Sequence, residues 1–346
     1  MNHYEVTIGI PVYNIEQFIR QTLNSALAQT FPSIEFLVCD DCGTDGSIAI
    51  VRELQQTHPR GSDIRIVTQP HNMGIGAGRN RMMAEAQGRY FYSLDGDDII
   101  EPQTIELLYT TAQKHEAEIV YGSYDRVYEH DGKIVRTEQC PYPQRVFTEP
   151  DEYALYAYNV GIQGMNWNYL INLDAVRRNH LQVTPVGHGY GEDFTYTIDL
   201  PTYITRAVLL PDITYHYYNR TFTGRQKRKK VLSHEQLLLT IAAVDRKKNR
   251  KELKGRPYYG KRISLLMMLD CSFACEMLVR RQEFDTPFSD KEIRAIMKHP
   301  MTLGEILSTQ SGRWHNLFYF FIGQLPTPIS IMLLRGMSKR YGVSCS

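Results

Sequence analysis

Residues 90–98 read Tyr-Phe-Tyr-Ser-Leu-Asp-Gly-Asp-Asp and join a strand-like run to three carboxylates. The mostly apolar first half predicts a buried strand. Asp95, Asp97 and Asp98 follow at its end, where their like charges would repel unless a cation offset them. Carboxylate oxygens suit Mg²⁺ or Mn²⁺. The stretch therefore predicts a site where a divalent ion holds a nucleotide diphosphate. The alternative is an acidic turn in which Asp98 caps the next helix.

The N-terminal part of the chain alternates between strand-like and helix-like patterns. The first predicted strand lies in residues 6–14, which run into a turn, and it is expected to stop at Pro11. Further strands are predicted at 34–39, 64–68 and 90–94, and helices at 15–29, 48–56 and 82–87. This β-α-β-α-β-α-β order is typical of an α/β fold with a parallel sheet and flanking helices. Ligands bind beyond the carboxyl ends of such strands, which is where Asp41, Asp95 and Asp97 fall.

Five motifs follow one another in a recognisable order. They are Ile10-Pro11-Val12-Tyr13-Asn14, Asp40-Asp41-Cys42-Gly43-Thr44-Asp45-Gly46-Ser47, His71-Asn72-Met73-Gly74 with Gly78-Arg79-Asn80, Leu94-Asp95-Gly96-Asp97-Asp98 and Gly191-Glu192-Asp193. Over about Val6 to Tyr218, the chain resembles the family 2 glycosyltransferases, which are inverting nucleotide-sugar enzymes. The resemblance implies the GT-A fold, with a Rossmann-like and mostly parallel sheet. Two departures, at Cys42-Gly43 and at Gly78, remove no charged group.

The resemblance assigns the nucleotide-sugar site. It implies that Asp41 accepts a hydrogen bond from the base, a role that suits a carboxylate facing the imide N–H of uracil or thymine. Pro11 and Tyr13, within the motif that ends at Asn14, would line the base and ribose pocket. The remaining implied positions are Asp95 near the ribose, Asp97 as ligand of Mn²⁺ or Mg²⁺, and Arg79 near the nucleotide, where it could pair with phosphate. The alternative for Arg79 is a solvated helix residue.

The resemblance also assigns the acceptor side. An inverting transfer needs a base within hydrogen-bond reach of the acceptor hydroxyl, and the family's base corresponds to Asp193. Glu192 would adjoin it, and its like charge would favour proton uptake. His188 is a further acceptor-side candidate. The alternative is that Glu192 and Asp193 only favour a helix N-terminus.

A segment after the sheet region combines aromatic and basic residues. His216 and Arg220 are candidates for offsetting the charge of the leaving diphosphate, in a segment that could act as a lid. An aromatic edge strand with a packed His216 is the alternative.

The remaining sequence predicts a helical, basic appendage. The chain has 346 residues and a formal net charge of +1, which suggests one large domain, 1–220, and a C-terminal region, 221–346. Lys and Arg dominate residues 220–262, a pattern that favours contact with an anionic membrane surface or a lipid-linked acceptor over nucleic acid. Residues 317–334 carry no charge and predict two short helices with a bend at the prolines, packed or at a membrane interface, with a membrane span as the alternative.

The N-terminus lacks the pattern of a signal peptide, and the six cysteines fit structural thiols. We therefore expect a cytoplasmic protein, peripheral at the inner face of the cytoplasmic membrane.

These patterns together predict an inverting glycosyltransferase. It would move a hexose or N-acetylhexosamine from a UDP- or dTDP-linked donor to a hydroxyl of a saccharide or lipid-linked acceptor in cell-surface polysaccharide synthesis. A metal-dependent sugar nucleotidyltransferase is an alternative, but such enzymes need a Gly-rich basic loop where Pro11-Val12-Tyr13-Asn14 stands. A non-catalytic sugar-binding relative is a further alternative, against which the intact Asp97 and Asp193 count. A dinucleotide dehydrogenase is disfavoured because Gly-x-Gly-x-x-Gly is absent after the first strand.

Overall fold

The computed structural model describes residues 4–160, 165–185, 192–221, 233–299, 301–308 and 313–338. The chain divides into two compact units, Met1–Tyr153 with Gln163–Arg225, and Ala154–Ile162 with Gln226–Ser346. The division into continuous domains 1–220 and 221–346 stays a prediction. The predicted boundaries do not include the grouping of residues 154–162 with the C-terminal unit.

A mixed sheet of ten strands runs through the described part of the first unit. The strands are β1 (Val6–Val12), β2 (Ile34–Asp40), β3 (Ile64–Thr68), β4 (Tyr90–Ser93), β5 (Ile99–Ile100), β6 (Ile119–His130), β7 (Lys133–Cys140), β8 (Arg145–Phe147), β9 (Tyr169–Asn172) and β10 (Ala207–Thr221). The order is β3-β2-β1-β4-β9-β6-β10-β5, with β7 on β6 and β8 on β10. Strands β1 to β4 are parallel, as predicted. The sheet as a whole is mixed rather than mostly parallel, because β9 lies antiparallel to both β4 and β6.

Strand β1 continues through Pro11, where the sequence predicted a stop. Pro11 pairs in register with Cys39, and Val12 with Asp40. The Gly9 carbonyl accepts the last bond from β4, from the N–H of Leu94 (3.0 Å). Because alternate residues of a strand bond to opposite neighbours, Pro11 falls on the side where β4 has already ended. Its missing N–H therefore costs the ladder nothing.

Short helices flank the sheet. They are α1 (Ile19–Leu27), α2 (Ser47–Thr57), α3 (Ile75–Glu85), α4 (Thr104–His115), α6 (Leu173–Arg178), α7 (Glu192–Thr197) and α8 (Leu200–Tyr203). Helix α5 (Glu152–Val160) belongs to the second unit from Ala154 onward. Helix α1 begins later than predicted because the Ile15 carbonyl first closes a turn with the Phe18 N–H (2.9 Å). Helix α3 begins earlier than predicted, directly after Gly74, whose φ of +83° suits glycine and marks the boundary.

The buried face of the parallel strands positions the site. Ile8 and Ile10 of β1, Phe36 of β2 and Tyr92 of β4 are fully buried in one apolar core with α1. Burial of each such side chain contributes about 1.5–3 kcal/mol. The carboxyl ends of β1, β2 and β4 are thereby fixed to one another.

The described part of the second unit is helical. Its longer helices are α9 (His234–Lys248), α10 (Tyr259–Val279), α11 (Asp290–Ile296), α12 (Leu303–Ser308), α13 (Arg313–Gln324) and α14 (Thr327–Ser338). Helix α10 packs against α9, α11, α13 and α14. The bend between α13 and α14 falls at Pro326, as predicted. No helix in the described ranges is long and apolar enough to cross a bilayer.

Candidate active site

The first two predicted motifs lie at the carboxyl edge of β1 and β2. Pro11 lies within β1, and Tyr13 and Asn14 follow it; Tyr13 is half-exposed. Asn14 has a left-handed backbone (φ +53°), a conformation that Asn tolerates better than most residues. Its Oδ1 accepts the N–H of Thr44 (2.7 Å). That bond ties the end of the first motif to the second.

Asp41 is buried and bound by its own chain. Its Oδ1 accepts the N–H of Met73 (2.7 Å), and its Oδ2 accepts the N–H of Gly74 (2.9 Å). The carboxylate therefore holds the loop that precedes α3. Each oxygen retains a second lone pair, so this arrangement is compatible with a further donor such as a base N–H.

The carboxylates in the acidic turn after β4 differ in their exposure to solvent. The side chain of Asp97 is 47% exposed, whereas that of Asp95 is 20% exposed. Gly96 between them faces the chain itself: a Cβ there would lie 2.2 Å from Cδ1 of Ile15 and 2.8 Å from the carbonyl of Pro11. The Thr22 hydroxyl donates to the Gly96 carbonyl (3.0 Å). The turn is thus packed against α1 and β1, which presents Asp97 to solvent.

Asp98 is buried and does not cap a helix, so that alternative is wrong. Its Oδ2 accepts the hydroxyl of Tyr215 (2.7 Å), and its Oδ1 accepts the N–H of Tyr218 (2.8 Å). Burial, and then the charges of Asp97 and Asp95, raise the pKa of Asp98 well above its usual value, although the two hydrogen bonds oppose the shift. Asp98 therefore fastens β10 to the acidic turn.

Arg79 lies at the centre of the site. It is only 3% exposed, so it is not a solvated helix residue. One guanidinium nitrogen donates to Oδ1 of Asp95 (2.8 Å) and another to Oδ1 of Asp193 (2.6 Å). Burial alone would lower the pKa of Arg79, but the charges of Asp95, Asp193 and Glu192 outweigh it, and the net pKa is raised. One buried cation thus joins the third, fourth and fifth motifs.

Asp193 sits in the first turn of α7 and is held by two donors. Besides Arg79, the Nδ2 of Asn166 donates to the same Oδ1 (2.7 Å). The side chain of Asp193 remains 24% exposed, whereas Glu192 is buried. The two donors therefore hold the carboxylate of Asp193 in a defined position. Asn166 is a site residue that the motifs did not reveal, because a lone Asn carries no sequence pattern.

A small cavity lies behind this cluster. Arg79, Ser93, Asn166, Tyr169 and Tyr196 contribute to its lining. Three buried polar atoms of these residues, Nε of Arg79, Oγ of Ser93 and Oδ1 of Asn166, have no hydrogen-bond partner among the residues that the structure describes. This donor and acceptor set is of the kind that an ordered water satisfies.

His216 and Arg220 both lie on β10 but meet different partners. The ring nitrogens of His216 contact Oδ1 of Asp125 (2.8 Å) and Oε1 of Glu101 (2.9 Å). Arg220 donates to the carbonyl of Asp97 and lies 3.9 Å from its carboxylate. Arg220 therefore lies at the acidic turn, whereas His216 lies between the carboxylates of Asp125 and Glu101.

Arg220 is sandwiched between two rings. Its guanidinium lies 4.4 Å from the ring centroid of Phe18 and 4.1 Å from that of Tyr218. Such cation–π contacts restrict the side chain without neutralising it. The Nε of Arg220 also lies 3.6 Å from Oε2 of Glu129, so the positive charge is held between the carboxylates of Asp97 and Glu129.

Two expectations have less structural support. His188 lies outside the described residues. Across the ranges that the structure describes, no group of three or more His, Cys, Asp or Glu side chains converges on a metal position.

Comparison with known proteins identifies the first half of the chain. Residues 7–175 match the family "Glycosyl transferase family 2". This region of the chain is therefore assigned to glycosyl transferase family 2. Glycosyltransferase GlyA of Streptococcus pneumoniae is 34% identical over 129 residues, 37% of this chain and 18% of that protein.

A second curated relative carries a more specific name. The UDP-Glc:alpha-D-GlcNAc-diphosphoundecaprenol beta-1,3-glucosyltransferase WfgD of Escherichia coli is 31% identical over 144 residues, 41% of this chain and 55% of that protein. The chain thus spans less than two thirds of the length of both relatives.

The fold resembles that of a solved GT-A structure. S. aureus TarS 1–349 in complex with UDP aligns with a TM-score of 0.61 over 99% of this chain and 93% of that one, at 16% identity. This likeness confirms the predicted GT-A fold class.

Proposed function

We propose that the chain catalyses an inverting transfer of a hexose or N-acetylhexosamine from a UDP- or dTDP-linked donor to an acceptor hydroxyl. The observation that carries the proposal is the contact of buried Arg79 with both Asp95 and Asp193. Residues 79, 95 and 193 come from three separate motifs. Their meeting at one sheet edge puts the expected donor residues beside the expected base.

In the proposed reaction, Asp193 acts as the general base. The acceptor oxygen forms a bond to the anomeric carbon while the bond from that carbon to the diphosphate breaks, and the proton of the acceptor hydroxyl passes to Asp193. Arg79 and Asn166 both donate to Oδ1 of Asp193. They would hold the carboxylate in place, so that the in-line geometry is set before the acceptor arrives.

The nucleotide is proposed to lie over the first two motifs. Half-exposed Tyr13 offers a ring for stacking, and Pro11 and Asn14 adjoin it. Asp41 would read the base N–H while it holds the loop at Met73. The complex of TarS with UDP, and the UDP-glucose in the name of WfgD, support UDP as the nucleotide.

Asp97 is proposed to hold Mg²⁺ or Mn²⁺. These ions are often bound through one or two carboxylates together with substrate phosphates, and the exposed Asp97 carboxylate fits that mode. When bound, the ion would help to offset the charge of the leaving diphosphate. Arg220, stacked beside Asp97, supplies positive charge from the chain itself. His216 would act on the diphosphate only if it left one of its carboxylate partners.

The acceptor is proposed to be a saccharide or a lipid-linked saccharide in cell-surface polysaccharide synthesis. The name of WfgD, a relative over 41% of this chain, includes a diphosphoundecaprenol acceptor. Glu192, buried beside Asp193, and His188 are the proposed acceptor-side residues.

The assignment of the base is tested with Asp193→Asn. We expect release of UDP or dTDP from a panel of sugar donors with saccharide acceptors to fall by about 10²–10⁴-fold, because the proton acceptor is lost. The affinity for UDP, measured by calorimetry, should stay within a few fold. Asp174→Asn is the matched control, because Asp174 is an exposed carboxylate on α6, which follows β9 at the opposite edge of the sheet. Transfer by Asp193→Asn at the rate of this control would rule out Asp193 as the base.

The metal site is tested separately with Asp97→Asn. Calorimetry with UDP, in the presence and absence of Mn²⁺, should show that the metal strengthens binding to the parent chain and to Asp174→Asn. It should have no such effect on Asp97→Asn. Equal metal dependence in all three proteins would show that Asp97 is not the ligand. A preference for purine diphosphates would instead revive the nucleotidyltransferase alternative.

A further inference from the structure

Charge is distributed very unevenly along the chain. Residues 226–346 carry 22 Lys and Arg and 10 Asp and Glu, a net charge of +12, whereas residues 1–225 carry 17 and 28, a net charge of −11. The overall value of +1 hides this contrast. A strongly basic unit attracts anionic surfaces over a distance of about 10 Å at moderate salt.

Helices α13 and α14 expose large apolar side chains. Trp314 is 79% exposed, and Phe318 and Phe321 are about half-exposed, all on α13. Their spacing of three and four residues puts them on one face. On α14, Ile329 and Met332 are also exposed, and their spacing of three residues puts them on one face of that helix. Exposed aromatic and aliphatic side chains aligned in this way typically mark an interaction site.

Buried polar contacts fix which face of α13 points outward. Asn316 is fully buried, and its Oδ1 accepts the hydroxyl of Ser264 on α10 (2.6 Å). On α14, the buried hydroxyl of Ser330 donates to the carbonyl of Ile322 (2.6 Å). Rotating α13 to hide its aromatic face would break the bond to α10. The exposed face is therefore a stable feature of the second unit.

The chemistry of this face favours lipid. Residues 313–338 contain no Asp or Glu, and Arg313 and Arg335 stand near the two ends. Trp and Phe on one side of a helix, with basic residues nearby, are the composition of helices that lie in a bilayer interface. A protein partner would more often be met by a polar rim of both charges.

We propose that α13 and α14 lie on the surface of an anionic phospholipid bilayer, with Trp314, Phe318 and Phe321 inserted at the interface. The helices would lie in the plane of the membrane and not cross it. This inference does not depend on the transfer reaction. It would place the chain where a lipid-linked acceptor is available.

The test is flotation of the full chain with lipid vesicles. One set consists of phosphatidylcholine alone and the other of phosphatidylcholine mixed with phosphatidylglycerol. We expect binding to the mixed vesicles, weakened by salt. In Phe318→Ser with Phe321→Ser, binding should fall about tenfold or more, because two apolar anchors are lost. The matched control is Ile134→Ser with Val135→Ser, an equally exposed apolar pair on β7, and its binding should not change.

Tryptophan fluorescence gives an independent readout. The chain has two tryptophans, and Trp167 is buried, so a blue shift on vesicle addition reports Trp314. Trp314→Phe should abolish the shift while retaining flotation. Equal flotation of the parent and the Phe318, Phe321 variant, or no binding to anionic vesicles, would overturn the proposal. The proposal would also be overturned if light scattering showed that the parent chain is a dimer and that the Phe318, Phe321 variant is a monomer. The face would then be occupied by a second copy of the chain. None of these outcomes bears on the base or metal assignments.

Discussion

At the scale of single residues, Arg79 shows how one buried cation can organise several motifs. It is almost fully buried, and two carboxylates share its guanidinium. Removing one partner of a buried ion pair leaves the others uncompensated, which is far more costly than losing a surface pair.

We predict that Arg79→Gln lowers the free energy of unfolding by about 3–5 kcal/mol. Transfer should fall as well, because Asp193 loses a donor that holds it. Arg81→Gln, on the same helix but partly exposed and paired with Glu85, should change stability by about 1 kcal/mol or less. Urea unfolding and transfer assays measure both effects. Similar losses of stability and transfer in the two variants would mean that buried Arg79 contributes no more than partly exposed Arg81.

Residue identities in the site could be predicted only where they belong to ordered motifs. The motifs predicted Asp41, Arg79, Asp97 and Asp193 as site residues, and the structure brings Arg79, Asp95 and Asp193 together. Asn166 could not be found, because its role depends on a fold contact with Asp193 and on no local pattern. Similarly, the partners of His216 come from distant strands and turns.

At the scale of elements, β10 is bound to the acidic turn by aromatic and polar contacts. The ring of Trp167 stacks on Tyr215 at 4.4 Å between centroids, and Tyr215 in turn donates to Asp98. The motion of β10 proposed for a lid would therefore have to spare the segment at Tyr215.

The raised pKa of Asp98 predicts a pH-dependent stability difference. Because the pKa is higher in the folded chain than in the unfolded one, the folded state binds more protons, and this contribution to stability falls as pH rises through that range. Asp98→Asn cannot ionise. We predict that its unfolding midpoint in urea, relative to the parent, improves between pH 4 and pH 8. Asp63→Asn, at the opposite sheet edge, serves as control. A stability difference that is constant with pH would show that folding does not raise the pKa of Asp98.

Element types could be predicted better than element ends. Strands β1 to β4 and the alternation with helices were evident from hydrophobic patterns. The ends were not, because Pro11 continues a strand on its unpaired side, and Gly74 starts α3 through a bond to Asp41. Both depend on neighbours that are distant in sequence. The antiparallel entry of β9 has the same cause.

At the scale of the whole molecule, each unit has its own interior. The second unit contains a fully buried ion pair between Lys248 of α9 and Asp270 of α10, with His299 beside it. Burial lowers the pKa of His299, with Asp270 opposing that shift. All described residues proposed for nucleotide binding lie in the first unit.

We therefore predict that Lys248→Met damages the second unit selectively. The loss of the buried cation should destabilise α9 and α10 by about 3–5 kcal/mol, and adding Asp270→Leu should restore most of it. Amide hydrogen exchange should accelerate in α9 and α10, while UDP affinity stays within a few fold. Arg246→Met, exposed on the same helix, is the control. Unchanged exchange in Lys248→Met would argue that the pair contributes little.

The crowding around Gly96 has a practical consequence for redesign of the enzyme. Any side chain at this position would collide with Ile15 and with the backbone of Pro11, so the two flanking carboxylates cannot be moved by substitution between them. A library that seeks a new donor preference should therefore leave residue 96 constant and diversify exposed Tyr13. In the proposed nucleotide site, variation at Tyr13 would change the surface offered to the base without shifting the carboxylates.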